Sequence, residues 1–86
     1  MAEAIIMPEL GQTVSGGTIT TWLVPVGGTI ELGDPLLVVE TDKTELEVES
    51  VAEGTVLRHC FPEGTEVESG TVIAYIGEDG EEVPTS

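Results

Sequence analysis

The chain is short, strongly acidic and almost without positive charge, and these properties exclude several functions. Its 86 residues suffice for one small domain with a single modest core. Asp and Glu total 17 against two Lys and Arg, a formal net charge of −15 that repels nucleic-acid phosphates and anionic lipids. No apolar run has the length of a membrane helix, and the single cysteine cannot form an internal disulfide. We therefore expect a domain of a reducing compartment with neither a nucleic-acid nor a membrane partner.

Short strands follow one another along the chain, separated by turns rich in glycine and proline. Segments rich in β-branched and apolar residues predict strands, because such side chains pack well on a pleated sheet. Strands at this spacing are typical of an all-β sandwich or flattened barrel. We expect a domain over residues 1–79 and a flexible tail or linker start over residues 80–86. The predicted strands are Ala4–Met7, Thr18–Val24, Thr29–Glu31, Leu36–Thr41, Glu45–Glu49, Thr55–Cys60, Glu66–Glu68 and Val72–Ile76.

The residue patterns of two of these strands predict different degrees of burial. Leu36–Val39 is continuously apolar, which is typical of a strand covered on both faces. In Glu45–Glu49, Leu46 and Val48 alternate with glutamates. Since successive side chains of a strand point to opposite faces, this segment predicts one buried face and one wet face.

The chain contains an internal repeat, because residues 17–40 align without a gap on residues 54–77. Glycines that recur at matched spacing indicate turns of the same geometry. The repeat therefore predicts two similar halves packed face to face. The identical residues of the first half are Gly17, Thr18, Pro25, Gly27, Glu31 and Gly33, which meet Gly54, Thr55, Pro62, Gly64, Glu68 and Gly70.

The only lysine, Lys43, lies in an acidic segment at the join of the two halves. Thr41–Thr44 is predicted to form a tight hairpin turn with Asp42 and Lys43 at its tip. Acidic neighbours favour a charged ammonium, so Lys43 is a poor unaided nucleophile but an accessible target for another enzyme. The alternative is that the lysine is only a solvated surface charge. In that case the chain is an unmodified acidic β module that binds partners.

The residues around this lysine resemble lipoyl domains of the dihydrolipoyl acyltransferase components of 2-oxo acid dehydrogenase complexes. The resemblance covers about residues 3–79. It implies a flattened barrel of two four-stranded antiparallel sheets with quasi-twofold symmetry, in agreement with the repeat. The matching motifs are Met7–Gly11, Gly17–Leu23, Val38–Thr44, Leu46–Val48 and Gly54–Val56.

The resemblance also implies a cofactor and the residues that present it. One lipoic acid per chain would be amide-linked to Lys43, with Asp42 and Thr44 flanking it for recognition. Biotinyl carrier domains share the fold but present their lysine between two methionines, so these neighbours favour lipoate over biotin. The resemblance also implies a surface loop over Glu9–Ser15 that helps a partner decarboxylase to recognise the domain; its candidate recognition residues are Glu9, Leu10, Gly11, Gln12 and Thr13.

The function implied by the resemblance is that of a carrier that catalyses nothing on its own. Its lipoyl-lysine would act as a swinging arm between a 2-oxo acid decarboxylase, an acyltransferase core and a dihydrolipoyl dehydrogenase, carrying acyl groups and reducing equivalents. A lipoate ligase or lipoyl transferase would attach the cofactor. We expect the N-terminal part of a dihydrolipoyl acyltransferase, with a free-standing lipoyl carrier as the alternative; a glycine-cleavage carrier fits less well because that family is longer.

Three further expectations concern assembly, location and the remaining candidate residues. The isolated domain is expected to be monomeric. A cytoplasmic location is expected, or the mitochondrial matrix for a mature chain that has lost its transit segment. His59 and Cys60 are adjacent in a predicted strand and point to opposite faces, so they predict no metal site. Trp22 is expected to have a packing role and not to recognise a partner.

Overall fold

The structure is a computed structural model, and it describes residues 2–9, 16–42 and 44–83. This part of the chain contains β-strands and no helix, and the strands form two four-stranded antiparallel sheets. The sheet orders are β1-β8-β6-β3 and β5-β4-β2-β7. The predicted all-β fold is confirmed, with small shifts at the strand ends. The strands are β1 (Glu3–Ile6), β2 (Gly16–Trp22), β3 (Thr29–Ile30), β4 (Pro35–Glu40), β5 (Glu45–Glu49), β6 (Gly54–His59), β7 (Glu66–Glu68) and β8 (Val72–Gly77).

The internal repeat corresponds to a quasi-twofold axis between two halves of the fold. The pairing of β2 with β4 and that of β6 with β8 shift register at equivalent places, after Ile19 and after Val56. The two short strands cross between the halves, because β3 pairs with β6 and β7 pairs with β2. The halves therefore interlock by exchanging one strand each, which refines the simple face-to-face packing expected from the sequence.

The repeated glycines occupy equivalent turns in the two halves. Gly27 and Gly64 both have φ of 92°, and Gly33 and Gly70 both have φ of 89°. Residues with a Cβ atom are disfavoured in this left-handed region. The glycines therefore recur because each half needs the same two turns.

A single hydrophobic core lies between the sheets, and the inner strands β4 and β8 contribute equivalent buried residues to it. Leu36, Leu37 and Val39 have no exposed surface, as predicted, but Val38 is only half-buried, so the strand is not covered completely on both faces. In β5, Val48 is buried as expected, but Leu46 is 38% exposed. The buried face expected for Leu46 is therefore wrong in part, because β5 is an edge strand and this residue lies near its end.

Trp22 and His59 occupy equivalent positions of the repeat and stack on each other across the quasi-twofold axis. Their ring centroids are 3.8 Å apart and their planes differ by 5°. Trp22 Nε1 donates to the Phe61 carbonyl at 3.0 Å, and His59 Nε2 lies 2.9 Å from the Val24 carbonyl. Because a carbonyl can only accept, His59 Nε2 carries a proton and imitates the indole N–H. Trp22 thus packs against the core, as predicted.

Candidate functional site

The candidate lysine belongs to the connection between β4 and β5. These strands pair in regular antiparallel register up to Glu40 opposite Glu45, and the bend follows directly. Lys43 itself lies outside the described residues, so its exposure stays a prediction. Its neighbours Asp42 and Thr44 are both exposed and lie between the two strands, as the sequence predicted.

Thr41 closes this bend through both its backbone and its side chain. Its N–H donates to the Thr44 carbonyl at 2.8 Å, and its hydroxyl donates to the same oxygen at 3.2 Å. In return, the Thr44 N–H donates to Thr41 Oγ1 at 3.1 Å. The common two-residue hairpin turns require a positive φ in the bend, usually from glycine, and Asp42 has none. The Thr41 hydroxyl therefore holds together a bend that lacks the usual glycine.

Carboxylates surround the bend and set its electrostatic character. Glu40 and Glu45 are directly opposite each other and exposed, and Asp42 is exposed beside them. Like charges directly opposite in a hairpin are destabilising, so this arrangement has a cost to the fold. Such a surface is complementary to a partner with basic residues.

Of the predicted recognition loop, Glu9–Ser15, only the first residue lies within the described part of the chain. Glu9 is exposed, whereas Leu10, Gly11, Gln12 and Thr13 lie outside the described residues. The chain is described again from the start of β2, and Thr18 of that strand lies opposite Glu40. The first residues of β2 therefore lie beside the end of β4, where the candidate bend begins.

The other candidate residues have structural roles. His59 is engaged by Trp22 and Val24, and its burial lowers its pKa, against smaller opposing effects of the Val24 hydrogen bond and the Glu63 charge. Burial likewise raises the pKa of the Cys60 thiol, which disfavours the reactive thiolate. In the described ranges, no three or more His, Cys, Asp or Glu residues are grouped so as to hold a metal ion. The same ranges have no helix long and apolar enough to cross a bilayer.

The quasi-twofold counterpart of the candidate bend lies at residues 78–81, after β8. The Glu81 N–H donates to the Glu78 carbonyl at 2.9 Å, and the Glu78 N–H donates to the Glu81 carboxylate at 3.0 Å. Hydrogen bonds from the Glu78 and Ala2 amides hold the pKa of Glu81 below its ordinary value. The chain does not run on from this bend into β1 as it runs from the candidate bend into β5; the bend instead lies near the start of the chain, held there by a hydrogen bond.

Sequence reasoning did not identify two features of this structure, the Thr41 hydroxyl bonds and the stack of Trp22 on His59. The available signal for the first was the Thr41-x-x-Thr44 spacing, since a threonine hydroxyl can bond backbone groups of a turn. The signal for the second was the repeat itself, which aligns the two aromatic residues.

Comparison with known proteins relates the whole chain to one family. The biotin–lipoyl family model, described as "Biotin-requiring enzyme", matches residues 3–76. The chain is 46% identical over its full length to the dihydrolipoyllysine-residue acetyltransferase component of the pyruvate dehydrogenase complex of Corynebacterium glutamicum, of which it covers 13%. Over 96% of its length it is 36% identical to the corresponding component of the acetoin cleaving system of Bacillus subtilis, of which it covers 21%. The chain thus spans a small part of these relatives.

Two solved structures are similar to this fold. The lipoyl domain of the 2-oxoglutarate dehydrogenase complex from Azotobacter vinelandii aligns with a TM-score of 0.66 and 28% identity, over 90% of this chain and 100% of that domain. The urea carboxylase of Kluyveromyces lactis aligns with a TM-score of 0.74 and 28% identity, over 90% of this chain and 6% of that protein.

Proposed function

This chain belongs to the biotin–lipoyl attachment family, and we propose that it is a lipoyl carrier domain with lipoic acid amide-linked to Lys43. The observation that carries the proposal is the exposed bend between β4 and β5, closed by Thr41 and Thr44 on either side of the attachment position. A fixed, projecting bend allows a modifying enzyme to approach from both strands and reach a single amine. The family also contains biotin carriers, but Asp42 and Thr44 stand where biotinyl domains have methionines.

The chain contributes position and recognition, and the cofactor contributes the chemistry. Lipoic acid supplies a strained cyclic disulfide that accepts an acyl group and a pair of electrons. The Thr41 hydroxyl fixes the bend, and the exposed Asp42 and Thr44 present it to the attaching ligase or transferase. The domain is not an enzyme in this proposal, since His59, the only histidine of the sequence, is held in the stack with Trp22.

The partners we propose follow from the relatives of the chain. Because those relatives are much longer acyltransferase components, the chain is a carrier domain over residues 1–79 of such a protein, followed by a flexible segment. Its lipoyl-lysine visits a 2-oxo acid decarboxylase, an acyltransferase core and a dihydrolipoyl dehydrogenase. The acidic bend and the loop from Glu9 to Thr13 form the surface that the decarboxylase recognises. The isolated domain is a monomer, and the protein lies in the bacterial cytoplasm or the mitochondrial matrix.

The deciding experiment is co-expression with a lipoate ligase and free lipoate, followed by intact-mass measurement. We expect one lipoyl increment on the chain and none on Lys43→Arg. As a matched control, the double variant Lys43→Arg with Arg58→Lys retains one lysine at a different site and should also stay unmodified. A biotin increment with a biotin ligase would move the chain to the biotinyl carriers. No increment with either ligase would favour an unmodified interaction module.

A further inference from the structure

A groove of about 420 Å³ opens between β1 and β5, which are edge strands of the two sheets. The register of β1 on β8 repeats that of β5 on β4, so each residue of one wall has an equivalent on the other. The groove is therefore centred on the quasi-twofold axis. One wall consists of Ala4, Ile5, Ile6 and Pro8, and the other of their equivalents Glu47, Val48, Glu49 and Val51.

The two walls differ in the outward side chains that line the edge of each sheet. The outward residues of β5 in the groove are Glu47 and Glu49, and both are exposed. Charged side chains of this kind prevent an edge strand from pairing with another chain. At the equivalent positions β1 has Ala4 and Ile6, and Ile6 is 51% exposed. The groove wall of β5 is thus protected by charge, whereas that of β1 is not, because the one carboxylate of β1, Glu3, lies outside the groove lining.

The unprotected wall offers both backbone and apolar groups for binding. Among the described residues β1 pairs with β8 alone, so the backbone groups along its other edge have no strand partner. Val51 is 67% exposed in the same groove as Ile6, so the two side chains form one apolar surface instead of isolated exposed residues. An extended segment that pairs with β1 would form hydrogen bonds with these backbone groups and would cover the apolar side chains of Ile6 and Val51.

We propose that this groove binds an extended segment of a partner protein in which apolar and basic side chains alternate. The segment adds a strand to the free edge of β1. The apolar side chains of the segment cover Ile6 and Val51, and its basic side chains are complementary to Glu47 and Glu49 on the opposite wall of the same groove. A second copy of this chain is excluded as the occupant by its own charge of −15. The proposal does not depend on whether Lys43 carries a cofactor.

The first test is a titration of the isotopically labelled chain with a synthetic peptide of alternating valine and lysine, about six residues long to match a strand. At about 0.15 M salt, where distant charges are screened, we expect chemical-shift changes confined to β1 and the groove wall of β5. Amide exchange along β1 should slow as its free edge becomes paired. A peptide of alternating serine and lysine should bind at least about tenfold more weakly, because it lacks the apolar side chains.

The second test transfers the protection of β5 onto β1. In Ile6→Glu the residue of β1 becomes that of its equivalent, Glu49, and we expect binding of the valine–lysine peptide to weaken at least about tenfold. Val26→Glu is the matched control, because Val26 is 55% exposed, lies outside the groove and receives the same charge. Both side chains are exposed, so both variants should keep the native amide spectrum.

Three results would overturn the proposal. One is equal binding by Ile6→Glu and Val26→Glu, and another is a set of shift changes spread over the whole acidic surface. The third is equal affinity for the valine–lysine and serine–lysine peptides. Lys43→Arg should bind the valine–lysine peptide as the parent chain does, so a failed lipoylation and a failed groove are separate outcomes.

Discussion

The bend at residues 41–44 and the bend at residues 78–81 occupy equivalent places in the two halves, but they are built differently. The first is a continuous hairpin held by Thr41 and Thr44. The second is held by hydrogen bonds of Glu78, Glu81 and the Ala2 amide. The shared backbone thus provides the place for a bend, while its side chains, and whether the chain runs on into a paired strand, decide whether the bend can present a fixed group.

Other equivalent positions differ in the same way, and the differences again separate folding from function. Met7 and Ser50 hold equivalent buried places: the methionine fills space, whereas the Ser50 hydroxyl bonds the backbone of Ala52. Both side chains are compatible with burial, one because it is apolar and the other because its hydroxyl is hydrogen-bonded. The outward residues of β1 and β5 bury nothing, and there the halves diverge from apolar to acidic.

Moving the lysine to the other bend should abolish modification altogether. Gly80, the equivalent of Lys43, has φ of 86° and disfavours a side chain, so the neighbouring position is used. Asp79→Lys in the Lys43→Arg background places an exposed amine on the counterpart bend, which does not lead into a paired strand within the described residues. We expect no lipoyl increment by intact mass under conditions that fully modify the parent chain. Asp79→Lys alone should receive one increment, not two. Modification of the transplanted lysine would show that a ligase does not need the closed hairpin.

The core should respond equally in both halves. Leu36 and Ile73 are equivalent and have no exposed surface. Leu36→Ala and Ile73→Ala should each lower the free energy of unfolding by about 2–5 kcal/mol, since each removes buried methyl groups and leaves a cavity. Urea unfolding measures both. If one variant lost little stability while the other unfolded the chain, the two halves would not share one cooperative core.

The stack at the axis should make stability depend on pH. Burial lowers the pKa of His59, so the unfolded chain binds a proton more readily than the folded chain. The contribution of neutral His59 to the free energy of unfolding should therefore be fully present above about pH 6.5, the ordinary pKa of histidine. It should be lost as the pH falls from there through the lower pKa of the folded state.

Comparison with His59→Phe isolates this effect from the many carboxylates. We expect the parent chain to lose more unfolding free energy than the variant between neutral and mildly acidic pH. The fluorescence of Trp22, the only tryptophan, should change over the same range because its ring lies on the imidazole. Parallel stability curves for the two proteins would contradict the assignment of this pH dependence to His59.

The smallest effect concerns the carboxylates at the base of the hairpin. Glu45→Gln removes the like-charge opposition to Glu40 and should raise the free energy of unfolding by about 0.2–1 kcal/mol. Glu47→Gln is the control, because Glu47 lies opposite Val38. The gain should shrink at high salt, which screens exposed charges. An equal gain in both variants would attribute the effect to net charge and not to the pair.

Local signals were sufficient to predict much of this molecule from its sequence. Glycines that need positive φ, such as Gly27 and Gly64, mark turns, and the alternation of Val48 with glutamates marks a strand with one buried and one wet face. The place of the candidate bend follows from the two strands beside it.

Tertiary features were not predictable by the same means. The exchange of β3 and β7 between the halves depends on the way two sheets close over one core. The partial exposure of Leu46 depends on where the core ends beneath an edge strand. The stack of Trp22 on His59 requires knowledge that equivalent positions meet at the axis. Each is a property of the assembled halves, and no single segment contains it.

The hydrogen bond between the Glu81 carboxylate and the Ala2 amide keeps the second bend close to the start of β1, so the two equivalent halves follow each other nearly in a closed circle. The connection from β4 to β5 at residues 41–44 is covalent, whereas the end of β8 is held near the start of β1 only by hydrogen bonding. A circular permutant that joins the present ends by a short glycine link and opens within the lysine bend should therefore regain the same topology. In this permutant the connection from β8 to β1 would be covalent and the one from β4 to β5 would be open, so the lysine would lie at a chain end.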